Sequence, residues 1–382
     1  MKKIVTIIGA RPQIIKSAAI SRVVEKEFPN KLEEIVVHTG QHYDENMSKV
    51  FFDELGIPKP QYNLGVGSGS QGKQTAEMLI GIEVVLEKEK PDALVVYGDT
   101  NSTLAGATAA AKMNIPIVHI EAGLRSYNKS MPEEVNRVVC DHLSTLLFSP
   151  TKSGFVNLKK EGFSENNKPP YNPDNAKIYH CGDIMYDNSL YFSALANTKN
   201  TVIEEYGLQN TPFFLSTIHR GSNTDNANHL NEIFEAFLEV MQKHDEIVLV
   251  LPLHPRTKNC MDQHLSKDTL SRIEANSRIK IIPPVSFLNI TALEKNCEMV
   301  ITDSGGLQKE AFFFKKPCVI LRPETEWVEI VENGNAIITN YHKNKIINAI
   351  AHFSSNTSLT YPDFYGNGKA AEFICSEIIL NL

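Results

Sequence analysis

The chain has 382 residues, long enough for two or three domains and for sizeable buried cores. Hydrophobic and charged fractions of 42% and 22% are ordinary for a soluble globular protein. A formal net charge of −7 gives no support to non-specific nucleic-acid binding, and no run approaches the ~18 apolar residues of a membrane span.

The cysteines, at 140, 181, 260, 297, 318 and 375, include no C-x-x-C pair. Neither a zinc site nor a disulfide framework is indicated, and reduced thiols in a cytosolic enzyme fit best. The opening Met1-Lys-Lys-Ile-Val-Thr-Ile-Ile8 looks like the start of a signal peptide. Its apolar core before Gly9-Ala-Arg11 is too short for one, so a first β-strand is the better reading.

In chain order, short apolar runs alternate with helical patterns. Strands are predicted at 3–8, 34–38, 93–97, 117–120, 146–149 and 177–181, and again at 213–217, 247–251, 279–282, 299–302, 318–321 and 336–339. Helices are predicted at 13–27, 71–89, 104–113, 228–243 and 306–315, among others. This grammar specifies an α/β protein with parallel sheets covered on both faces. The polar stretch Ser164 to Asn175 is the clearest compositional break. The expected architecture is two Rossmann-like domains facing across a cleft. The first comprises 1–172 plus a returning C-terminal helix in 364–382, and the second comprises 173–363.

In open parallel sheets, ligands sit beyond the carboxyl ends of the strands. Two predicted strands end there in acids: Asp99 in Gly98-Asp-Thr100, and Glu121 in Glu121-Ala-Gly123. Glu133-Glu134 follows closely. At the first strand's end, Arg11 offers a fixed cationic fork, and Lys16 lies one turn into the next helix. In the second half, His219 and His254 each follow a strand and are candidates for the same edge.

Thr302-Asp-Ser-Gly-Gly-Leu-Gln-Lys-Glu310 is the strongest local signal. A strand ends, a Ser304-Gly305-Gly306 turn follows, and a helix begins. Unpaired N–H groups with no Cβ to block approach form a phosphate cradle. Glu310 is placed to accept both hydroxyls of a ribose. A simple helix cap at Asp303 or Ser304 is the competing reading. Gly67-Ser-Gly-Ser-Gln-Gly72 matches G-x-G-x-x-G, but it follows no convincing strand and lacks the acid that NAD binding requires. A loop before a helix is expected there. Together the residues suit a nucleoside diphosphate carrying a group on which carboxylates do acid/base work, with no metal and no nicotinamide.

Over essentially its full length the chain resembles the non-hydrolysing UDP-N-acetylglucosamine 2-epimerases. The matching segments are Gly9-Ala-Arg-Pro-Gln13 with Lys16, Thr39-Gly-Gln-His42, Gly98-Asp-Thr-Asn-Ser-Thr103, His119-Ile-Glu-Ala-Gly-Leu-Arg125, Met131-Pro-Glu-Glu-Val-Asn-Arg137, His219-Arg220 and Thr302 to Glu310. The resemblance implies a GT-B-like fold, a homodimer, a UDP-sugar substrate and inversion at its C2 without a redox cofactor or metal. It implies Asp99, Glu121, Glu133 and His219 as catalytic residues. Arg11 and Lys16 would be ligand contacts, Ser304, Gly305 and Gly306 the phosphate site, Glu310 the ribose acceptor, and Val285 to Ile290 the uracil seat.

Four departures from the family pattern stand out. Thr325-Glu-Trp-Val-Glu329 carries Trp327 where an Arg is usual, and Gly9-Ala-Arg-Pro-Gln13 replaces Gly-Thr-Arg-Pro-Glu. Both variants are similar to the subgroup acting on UDP-2,3-diacetamido-2,3-dideoxyglucuronate. Ser222 replaces a carboxylate. Gln41-His-Tyr-Asp-Glu45 differs from the segment that binds a second, activating UDP-sugar. Two further readings fit the same UDP cradle: a GT-B glycosyltransferase and an inactive UDP-sugar sensor.

Overall fold

The computed structural model describes residues 1–40, 57–199, 202–355 and 358–382. The segment Gln41 to Glu45, and with it any bearing on a second UDP-sugar, lies outside the described residues. The chain forms two compact units, Met1–Leu190 with Asp363–Leu382, and Tyr191–Pro362.

The first unit holds a parallel sheet of β1 (Lys2–Ile8), β2 (Leu32–His38), β3 (Tyr62–Asn63), β4 (Ala93–Tyr97), β5 (Ile117–Ile120), β6 (Leu146–Ser149) and β7 (Lys177–His180). Their spatial order is β3-β2-β1-β4-β5-β6-β7. The second unit repeats the plan with β8 (Phe213–Thr217), β9 (Val248–Pro252), β10 (Ile279–Ile282), β11 (Met299–Thr302), β12 (Cys318–Ile320) and β13 (Ala336–Ile338), ordered β10-β9-β8-β11-β12-β13. Each chain path starts in mid-sheet, winds outward one way, then returns to wind the other. The loops after β1 and β4, and those after β8 and β11, therefore diverge and open a crevice at the carboxyl edge.

The strands read as continuous apolar runs because helices bury both faces. All five residues of β4 are buried. β3 escapes sequence pattern because two residues carry no periodicity, and a short edge strand is what an unpaired edge tolerates. The helix Asn101–Lys112 starts before the predicted Leu104. Thr100 and Thr103 form a reciprocal capping box there, each side chain accepting the other's backbone N–H at 3.2–3.3 Å.

The first unit extends past the expected break at 172 because β7 pairs with β6 and Cys181 N donates to Ser149 O at 3.1 Å. The boundary falls instead within the helix Ile184–Lys199. The final helix, Ala370–Asn381, packs on the helix Arg11–Glu27 through Ile374, Cys375 and Ile378. Its first N–H groups, of Ala370 and Ala371, donate to the Asp187 carboxylate at 3.2 and 2.8 Å. Among the described residues no helix is long and apolar enough to cross a membrane.

Candidate active site

In the first unit, the loops after β1, β4 and β5 converge. Gln13, buried in the first turn of its helix, accepts from Gly9 N and Ala10 N and donates to Tyr97 O and Thr103 Oγ1 at 2.9–3.1 Å. One amide thus locks the β1 and β4 loops together. Arg11 stands exposed at the first position of that helix. Lys16, one turn on, forms an ion pair with Glu121. Both side chains are largely withdrawn from water, at 13% and 14% exposure.

Asp99, just past β4, is paired with Arg137 from the helix Pro132–Leu143. Burial pushes the Asp99 carboxyl above its ordinary range. Arg137 and Lys16 oppose that shift, while the charges of Glu121 and Glu133 add to it. Asp99, Glu121, Glu133, Lys16 and Arg137 therefore make one electrostatic cluster. The two adjacent glutamates separate sharply. Glu133 is exposed, whereas Glu134 is buried and accepts from Ser126 N and Tyr127 N at 2.8 and 3.0 Å. Burial alone would raise Glu134, but these donors and Arg137 hold it below the usual carboxylate range.

Beneath this cluster lies a buried hub. Asp141 accepts from His119 Nδ1 at 2.7 Å, Arg125 Nη2 at 2.7 Å and Gly123 N at 3.1 Å. His119 Nε2 lies 2.8 Å from Gly98 O. Burial would raise Asp141, yet His119 and Arg125 pull it below its ordinary value. Glu121 sits at φ +73°, a left-handed conformation rare for a side chain of this size. Phe148 O anchors that turn by accepting from both Glu121 N and Ala122 N at 3.0 Å. Gly123, at φ +79°, abuts Gly154 O so closely that no Cβ fits.

In the second unit, β8 delivers His219 and β11 delivers Asp303. The Asp303 carboxylate is fully buried and accepts from His219 N, Arg220 N and Asn223 Nδ2 at 3.0–3.2 Å. His219 Nδ1 lies 3.0 Å from its Oδ1, which fixes Nδ1 as the donor and turns Nε2 outward. The ring is 52% exposed. Burial works against the Asp303 charge, but the His219 and Arg220 contacts win and hold its carboxyl below the ordinary range.

Ser304 is the N-cap of the helix Gly305–Phe313, yet its side chain makes no capping bond, and Asp303 is turned to His219. The capping reading of this motif therefore fails. The first turn carries no acid. A Cβ on Gly306 would lie 3.9 Å from Glu310 Oε2, so the Glu310 carboxylate folds back along its helix toward the start. Arg322 Nη1 would lie 3.5 Å from a Cβ on Gly305. Trp327, where an Arg was the family expectation, donates Nε1–H to Gly305 O at 2.8 Å, and Lys309 Nζ sits 4.2 Å over its ring. Val285 and Ile290 are half-buried, in the loop after β10 and on the helix Phe287–Asn296.

His254 does not join this edge group. Its Nδ1 accepts from Arg256 N at 3.2 Å and caps the helix Pro255–His264. Gly67 and Gly69 lie in the loop before the helix Gln71–Glu89 and Gly72 in its first turn, and a Cβ on any of the three would meet nothing within 4 Å. This stretch has no steric reason to be glycine-rich for phosphate. Sequence reading overlooked Gln13, Arg137, Asp141 and Arg322. Arg137 carries a usable signal, standing three and four residues beyond a carboxylate pair on a helix. Gln13 and Asp141 act through long-range contacts, and Arg322 pairs with Glu326 four residues on.

Comparison with known proteins completes the picture. Residues 25–379 match the family model described as UDP-N-acetylglucosamine 2-epimerase. A Methanococcus maripaludis protein named UDP-N-acetylglucosamine 2-epimerase homolog is 46% identical, covering 100% of both chains. The UDP-2,3-diacetamido-2,3-dideoxy-D-glucuronate 2-epimerase of Pseudomonas aeruginosa is 44% identical over 97% of this chain and 98% of its own. The Methanocaldococcus jannaschii UDP-GlcNAc 2-epimerase in complex with UDP-GlcNAc and UDP superposes with a TM-score of 0.81 at 41% identity, covering 99% of each chain. Two wound parallel sheets, the converging carboxylates and these full-length matches agree, and the chain belongs to the UDP-N-acetylglucosamine 2-epimerase family.

Proposed function

We propose that this protein is a non-hydrolysing epimerase that inverts C2 of a UDP-2-acetamido sugar. The observation that carries the reading is the cluster of Asp99, Glu121 and Glu133 at one strand edge, two of them paired with Lys16 and Arg137. The C2 hydrogen of such a sugar is not beside a carbonyl, so direct deprotonation is too difficult. A base takes the C2 proton, the C–H electrons form the C1=C2 bond, and the C1–O bond breaks to release UDP. The resulting 2-acetamidoglucal takes UDP back at C1 and a proton at C2 from the opposite face. This needs a base, an acid and a stabiliser of departing UDP.

Asp99, Glu121 and Glu133 supply the proton donors and acceptors, and His219, oriented by Asp303, is the fourth catalytic residue. Ser304, Gly305 and Gly306 take the phosphates at the helix start, with Arg11 and Lys16 as further ligand contacts. Glu310 accepts the ribose hydroxyls, and the uracil rests near Val285 and Ile290. The two candidate sugars are UDP-GlcNAc and UDP-2,3-diacetamido-2,3-dideoxyglucuronate, in line with the relatives above. An apolar stripe of Ile80 and Val84 on the helix Gln71–Glu89, 60% and 59% exposed, supports a homodimer. Five buried free thiols suit a reducing, cytoplasmic setting.

Product NMR in deuterated water tests the reaction. Solvent deuterium enters C2 as the epimer forms from one of the two sugars, and Asp99→Asn or Glu121→Gln lowers kcat by about 10²–10⁴-fold with the fold retained by circular dichroism. Neither exchange nor epimer from either sugar would overturn the reading. Gly305→Ala probes the cradle. Its methyl meets Arg322 Nη1 and Glu326 Oε2 at 3.5 Å, an ordinary contact, so the fold tolerates it. UDP binding by calorimetry weakens about tenfold or more as N–H contacts to phosphate are lost; unchanged affinity would remove the phosphates from this turn.

Arg137→Met removes a cation that holds the Asp99 carboxyl down, so that carboxyl titrates at higher pH. The limb of the kcat/KM profile belonging to Asp99 moves upward, whichever protonation state acts. A limb that stays put belongs to another group. Light scattering checks the dimer: wild type runs at twice 42.7 kDa, and Val84→Asp shifts it toward the single-chain mass.

A further inference from the structure

A second carboxyl stands behind Glu310. Glu294, on the helix Phe287–Asn296, is 1% exposed, and Glu310, on the helix Gly305–Phe313, is 8% exposed. Their carboxyl groups lie close enough to share a hydrogen bond. Two carboxylates offer only acceptors, so this bond exists only if one carries a proton. Glu294 Oε1 is buried and makes no hydrogen bond, so no N–H group compensates a charge there. Glu310, in contrast, turns its Oε2 toward the glycine start of its helix, where N–H groups favour negative charge.

We propose that Glu294 is a positioning residue, a buried carboxylic acid whose O–H donates to Glu310 and holds it as an oriented carboxylate that accepts the two hydroxyls of a ribose. The ribose half rests on the UDP reading above. Burial and then the charge of Glu310 push the Glu294 carboxyl well above its ordinary value. The other titratable groups facing Glu294 are the thiols of Cys297, at the end of its own helix, and Cys318 on β12. Burial raises both, Cys297 to about 12, so both remain neutral in the working range. Lys316 and Glu298 bear on Cys297.

Infrared difference spectroscopy and calorimetry on the full-length protein test this. At neutral pH the free wild type shows a carboxylic-acid C=O band that Glu294→Gln lacks. The amide keeps a donor, so Glu294→Gln binds UDP within about threefold of wild type. Glu294→Met, which keeps volume without a donor, weakens UDP by about tenfold and reduces the preference for UDP over 2′-deoxy-UDP. A missing acid band, or an undiminished UDP preference in Glu294→Met, overturns the proposal. An acid band in a protein that binds no UDP overturns the ribose role together with the nucleotide reading, and leaves the proton on Glu294.

Discussion

The carboxyl edge of the first unit is built around one buried carboxylate. Asp141 gathers His119, Arg125 and the Gly123 N–H around it, and His119 reaches on to Gly98 O. Gly98 precedes Asp99, and Gly123 lies two residues past Glu121. The same helix that supplies Asp141 supplies Arg137, which pairs with Asp99. Two acids on separate strands are thus fixed by one helix. Arg125 and Asp141 are 1% and 0% exposed, so this pair differs in kind from surface ion pairs such as Lys73–Glu77. An exposed pair contributes about 0–1 kcal/mol. Removing one partner of a buried pair costs about 3–5 kcal/mol, because the other charge is left unpaired in low dielectric.

That framework explains why a strained residue persists where it does. Glu121 in a left-handed conformation costs on the order of 1–2 kcal/mol. Phe148 O and the Asp141 hub over-determine the turn, and Lys16 holds the side chain from the other side. The carboxylates end in unlike environments, Asp99 raised by burial and Glu121 tied to a lysine. Acid/base chemistry at neutral pH requires such an inequality between groups of one chemical type.

The second unit applies the same fold to a different task. At its switch point, Asp303 is spent on orienting His219 and the loop after β8, which leaves the glycine start of the next helix uncapped by side chains. Trp327 braces the helix start by donating its indole N–H to Gly305 O. Lys309 over that indole is itself 4% exposed.

Sequence alone determined the repeating strand–helix grammar, the acids at strand ends and the Ser304-Gly305-Gly306 turn. Each is a local property: apolar runs of strand length, or residues whose backbone freedom permits one kind of turn. Chain position and the family resemblance both offered Glu133 and His219 as catalytic candidates. Tertiary structure decided what contact at long range decides. It separated Glu133 from Glu134 by burying only one, and turned His254 into a cap. It moved the unit boundary to Leu190 through the β6–β7 pairing. It also set Asp141, Gln13 and Glu294 behind the residues they support. Buried polar groups find partners wherever the fold supplies them, up to 90 residues away for Gln13 and Thr103, and no local pattern in the chain encodes that choice.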